Sequence, residues 1–64
     1  MVSKSKLTLK QYKFAELVAG GSSLSDSYRG AYNAANMKAA SIHREAHTLM
    51  ADPKITTRVE RLQQ

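Results

Sequence analysis

Lys38, Ser41, Arg44 and His47 recur at spacings of three within one short segment, with Ala40 between them. A guanidinium can pair with a guanine edge or a phosphate, and an ammonium with a phosphate. Together with a serine hydroxyl these are groups that bind a polyanion. They do not make a nucleophile with its base. His43 and His47 stand four apart, a spacing that can hold a cation on one helix face. The zinc-protease pattern is H-E-x-x-H, however, and here Arg44 follows the first histidine where the glutamate belongs. A cation beside Arg44 would be repelled and no third ligand is legible, so no metal site is expected.

Other segments carry the same kind of chemistry. Ser22, Ser23 and Ser25, with the amides of the helix they open, could hold a phosphate. Arg29 adds a cation a turn further on. Lys4, Lys6, Lys10 and Lys13 form a basic N-terminal cluster, read either as a solvated arm or as one that follows a groove or a phosphate backbone. Tyr12 could stack on a base or a partner, or simply be a half-exposed tyrosine. The Gly20-Gly21 stretch lacks the lysine of a G-x-x-x-x-G-K-[ST] loop, which excludes that nucleotide site. Glu16, Asp26, Glu45, Asp52 and Glu60 are scattered, so no catalytic carboxylate pair is legible. The expectation is a chain without catalytic centre or cofactor.

Those groups must be positioned by very little protein. The chain has 64 residues, ten Lys and Arg against five Asp and Glu, a net charge of +5 and no cysteine. That is one domain, residues 1–64, with a small core and no disulfide to brace it. A basic excess suits a polyanionic partner, nucleic acid foremost, although it also suits a merely soluble surface. No segment is long and apolar enough to span a membrane, and no apolar stretch follows the first four residues as a secretory signal requires. An intracellular location is expected, with residues 1–6 flexible.

Helical periodicity runs throughout and no segment alternates with a period of two. Thr8 with Gln11 forms a capping box, and Gly20-Gly21 stops the helix, which is predicted over 9–19. Ser23 caps a second helix ending near Asn33, with Leu24, Tyr28, Ala31 and Tyr32 as its buried stripe. Gly30 falls on the face opposite that stripe, where it either lets a DNA backbone approach or is simply tolerated near a helix end. Asn36 caps a third helix over 37–50. Its inner stripe is Ala39, Ile42, Ala46 and Leu49; Met37, Ala40, Arg44 and His47 point the other way, with Lys38 and Ser41 on a flank. Asp52-Pro53 opens a fourth helix, with Ile55, Val59 and Leu62 inward and Lys54, Arg58 and Arg61 outside. The fold class is all-α: a bundle of about four short helices containing a helix-turn-helix, joined over 33–36. Its core is Phe14, Val18, Leu24, Tyr28, Tyr32, Ile42, Leu49, Ile55 and Val59. The competing description is an ordinary helical hairpin with a solvated face.

Three blocks carry a resemblance. LTLKQYKFAELVAGG resembles the opening L-T-x-K-Q-x-x-F-A-x-x-V-x-x-G of phage terminase small subunits. SDSYRGAYNAANM resembles the A-Y-R-x-A-Y segment that follows, with Ser27 where many members have alanine. SIHREAHTLMADPKITTRVERL is similar to the next block, A-x-x-L-M-x-x-P-x-I-x-x-R-V-x-x-L. The resemblance covers Leu7 to Leu62 in order. It implies a DNA-binding domain that recognises the viral genome in the bacterial cytoplasm and starts its packaging. It also implies a partner large subunit carrying the ATPase and nuclease, and an oligomerisation region beyond this chain, so that the domain alone is a monomer and the full-length protein a homo-oligomer. The DNA-binding residues expected are Lys38, Ala40, Ser41, Arg44, His47, Ser23, Arg29, Lys4, Lys6 and Lys10. A helix-turn-helix transcription regulator, or a protein-interaction module using the basic face on an acidic partner, are the alternatives.

Overall fold

A computed structural model describes residues 7–63. It contains four helices, α1 Leu9–Ala19, α2 Leu24–Ala31, α3 Ala39–Met50 and α4 Pro53–Leu62, and no strand among the described residues. The all-α class read from the sequence is the observed one. None of these helices is long and apolar enough to cross a membrane.

The helix starts follow local chemistry. Thr8 Oγ1 accepts from the Gln11 amide at 3.1 Å, and Gln11 Oε1 accepts from the Thr8 amide at 2.8 Å, closing the capping box. Ser23 Oγ accepts from the Asp26 amide at 3.1 Å. Asp52 Oδ1 accepts from the Lys54 amide at 3.0 Å, with Pro53 in the first turn, where its missing N–H costs nothing. α1 ends as glycine permits: Ser22 N–H reaches Leu17 O and Gly21 N–H reaches Val18 O, while Gly21 takes φ 106°. This is a Schellman closure, and its left-handed residue has to lack a Cβ.

α1 lies against both α2 and α4, α2 also against α3, and α3 meets α4 more lightly than these. The core is Leu7, Phe14, Ala15, Ile42, Ala46, Ile55 and Val59. Of the expected core, Phe14, Ile42, Ile55 and Val59 are buried, whereas Val18, Leu24, Tyr28, Tyr32 and Leu49 are only half-buried. A bundle this thin covers one side of each helix incompletely. The Tyr28 and Tyr32 rings stack 4.6 Å apart. Burial, and secondarily the neighbouring Tyr28, raises the Tyr32 phenol above its ordinary 10.0. The corner between α3 and α4 is tied by Thr56, whose hydroxyl is 2.7 Å from Met50 O and 3.2 Å from Asp52 O.

Several expectations are corrected. α2 stops at Ala31 rather than near Asn33, and α3 starts at Ala39 with Lys38, not Asn36, at the N-cap. Asn33 is why: its Oδ1 accepts from the Ala35 amide at 3.3 Å, and Met37 N–H bonds Ala34 O, so the chain turns twice before it can become helical. The joint is therefore residues 32–38, longer than the three or four residues of a helix-turn-helix turn. Ala39, placed on the inner stripe, is exposed because it is the first residue of its helix. Leu62 remains 38% exposed at the end of α4. Gly30 is exposed, as its place opposite the stripe requires, but a Cβ there would sit 2.7 Å from Leu17 Cδ1, so the tip of an α1 side chain already lies beside it. Ser27 is fully buried, and its hydroxyl finds no hydrogen-bond partner.

Candidate nucleic-acid interface

The expected site residues sort into separate groups. Lys38, Ala40, Arg44 and His47 are exposed along α3, and Ser41 is half-exposed beside them. Ala40, Arg44 and His47 are held outward because Ile42 and Ala46, on the other side of the same helix, are buried, whereas Lys38 is exposed as the N-cap that precedes the helix. The His43 and His47 rings lie 4.3 Å apart and tilted by 58°, both on the exposed side. Among the described residues no cluster of three metal-ligating side chains forms.

The start of α3 differs from the other three. Lys38 takes φ −75° and ψ 153°, its carbonyl accepts from Ile42 N–H at 3.0 Å, and no side chain caps the helix. The first amides of a helix have no intrahelical acceptor, and the N-terminus carries partial positive charge. With no acid in the first turn and an ammonium at the cap, that end presents positive potential and free donors. Lysine here works against helix stability, because its charge opposes the macrodipole and it offers no acceptor.

Ser23 and Arg29 sit on α2, apart in role. The Ser23 hydroxyl already accepts from the Asp26 amide, and Arg29 Nη1 lies 3.6 Å from Asp26 Oδ1, both side chains largely exposed. An exposed pair of this kind is worth little to stability, but it offsets the Arg29 charge locally. Lys10 extends from α1 so that its ammonium lies 5.7 Å from the Tyr32 ring centroid. Arg29 and Tyr32 also line a cleft of about 480 Å³ with residues 33–35. Lys10 and Arg29 thus gather around Tyr32 at the end of α2. Lys4 and Lys6 lie outside the described residues.

Sequence reasoning did not single out a third basic group. Tyr12, Pro53, Lys54, Thr57, Arg58 and Arg61, with Leu7, line a groove of about 410 Å³ between the start of α1 and α4. Arg58 is half-buried, its guanidinium carbon 5.1 Å from the Tyr12 ring centroid. Tyr12 therefore stacks within the chain. The signal was present as Lys54, Arg58 and Arg61 at i, i+4 and i+7, but only the packing of α1 on α4 turns that stripe into a groove. No family model, no curated protein and no solved structure matches the chain.

Proposed function

We propose that this chain is the DNA-binding domain of a viral terminase small subunit, recognising the viral genome so that a large subunit can package it. The observation that carries the reading is the exposed face of α3. Its uncapped N-terminus is fronted by Lys38, and Arg44 projects from the side opposite buried Ile42. A phosphate near Lys38 would meet the amides of the first turn and the Ser41 hydroxyl. Arg44, farther along, would then reach a base edge in the major groove, with His47 beside it. The three sequence blocks and the +5 charge support the same assignment. The chain contributes recognition, and the chemistry of packaging belongs to the large subunit. α2 and α3 act as the reading pair despite the joint being longer than a helix-turn-helix turn.

The test is a salt titration of binding to duplex DNA. Arg44→Ala should keep the fold and weaken binding by about 1–3 kcal/mol for a base-edge contact. A companion variant lacking Lys4 and Lys6 serves as the comparison. If Arg44→Ala binds like the wild type while the companion loses binding, the basic arm is the DNA site and α3 is only a packed helix.

A further inference from the structure

Lys54, Arg58 and Arg61 lie within about 60° of one another round α4 and span about 10.5 Å of its length. Like charges at i, i+4 oppose helix formation. Among the described residues no carboxylate forms an ion pair with them. Asp52 is engaged as the cap of α4, Glu60 falls off this face, and the one ion pair among the described residues joins Arg29 to Asp26. Arg58 adds a second, independent sign. Its Nε is shielded from solvent and has no hydrogen-bond partner, while its guanidinium is held against the Tyr12 ring. Stacking of this kind fixes the plane of the guanidinium and reduces the freedom it would lose on binding. Three cations and the Thr57 hydroxyl thus line one groove with an aromatic wall.

We propose that this groove binds the phosphodiester backbone of DNA, as a contact separate from the α3 face. The fork of Arg58 donates to phosphate oxygens, Lys54 and Arg61 flank it as charges, and Thr57 supplies a neutral donor. A nucleic-acid backbone fits better than a carboxylate-bearing partner because a single strand carries a fixed charge about every 3.4 Å of duplex axis, close enough to meet several cations crowded on two turns of helix. The Tyr12 ring and Pro53 give the sugars an apolar surface. The proposal rests on the DNA-binding reading above but on different residues.

The experiment uses the chain labelled for NMR, a short synthetic DNA duplex and, as a carboxylate polyanion, poly-glutamate. Lys54 and Arg61 are exposed, so the double variant K54Q/R61Q should melt like the wild type. The duplex is expected to shift the Arg58 Nε–H resonance saturably, and K54Q/R61Q to lower the slope of log K against log salt by about 2. Arg58→Lys, which keeps the charge and loses the fork, should weaken binding while leaving that slope nearly unchanged. If the duplex binds in an Arg44-dependent way but the Arg58 signal and the double variant's slope stay unmoved, the groove proposal is overturned and the α3 reading survives. If poly-glutamate moves the Arg58 signal and DNA does not, the groove belongs to an acidic protein partner and the proposal fails. If the wild type does not bind the duplex even at low salt, both readings fall together.

Discussion

Replacing Lys38 with serine should make the protein more stable and a poorer DNA binder, two effects of opposite sign from one side chain. Lys38 has φ −75° and ψ 153°, close to Ser23 at φ −64° and ψ 161°, where the hydroxyl does accept from the amide three residues on. A serine at position 38 is therefore preset to accept from the Ser41 amide. A good N-cap contributes about 1 kcal/mol over a residue that cannot cap. Removing a cation from the positive end of the helix adds about 0.3 kcal/mol or more at an exposed site. In a 64-residue chain, 1 kcal/mol corresponds to roughly 4–8 °C, so the melting temperature should rise by about 5–10 °C. Loss of one phosphate contact should lower the salt slope by about 0.9, for all sequences alike. Thermal melting by circular dichroism reads the first effect and a fluorescence salt titration with duplex DNA the second. An unchanged or lower melting temperature would show that Lys38 does not occupy the cap. A higher melting temperature with unchanged DNA binding would remove the start of α3 from the interface.

The remaining expectations concern the packing that holds these surfaces. Ser27→Ala removes a buried hydroxyl without a partner and improves helix propensity, so it should stabilise by about 1–2 kcal/mol in chemical denaturation; destabilisation would mean that the hydroxyl is satisfied after all. Gly30→Ala should be close to neutral, because a gain of up to about 1 kcal/mol in helix propensity offsets displacement of the flexible Leu17 tip, whereas Gly30→Leu should cost about 1–3 kcal/mol by forcing α1 from α2. Equal stability of the two variants would refute the close approach. Thr56→Val keeps the shape but leaves the Met50 carbonyl without its hydroxyl donor, and should lower stability by about 1–2 kcal/mol in a urea melt. The raised Tyr32 phenol favours the protonated form in the folded state, so its contribution is intact below pH 10 and is lost as pH rises through the folded value, which an alkaline melting series should follow.

Much of the architecture was legible because it depends on neighbours in the chain. The Thr8–Gln11 box, the Ser23 and Asp52 caps, the Gly20-Gly21 stop and Pro53 at a helix start are hydrogen bonds and backbone restrictions acting over two to five residues. Any chain with those residues in that order meets the same local choices, so three of four helix starts and the end of α1 could be read directly. Helical periodicity likewise placed Phe14, Ile42, Ile55 and Val59 inside, and Arg44 opposite Ile42.

Tertiary structure decided what two distant segments do to each other. The start of α3 turned on a competition: Asn33 closed its own turn, and the helix began only after Lys38, making that lysine the cap rather than an early helical residue. Ala15 and Ser27 are small, and no pattern of large apolar residues marks them. Ala15 is buried because α1 is covered by α2 and α4, and Ser27 because α2 lies against α1 and α3. Gly30 looked outward on its own helix wheel, yet the approach of Leu17 occupies the space beside it. Lys54, Arg58 and Arg61 were a charged stripe in sequence, and became one wall of a groove only when the start of α1 brought Tyr12 against Arg58. Local capping energies depend on residue type and order, whereas burial and grooves depend on how whole helices cross, and that follows from the summed packing of every face at once.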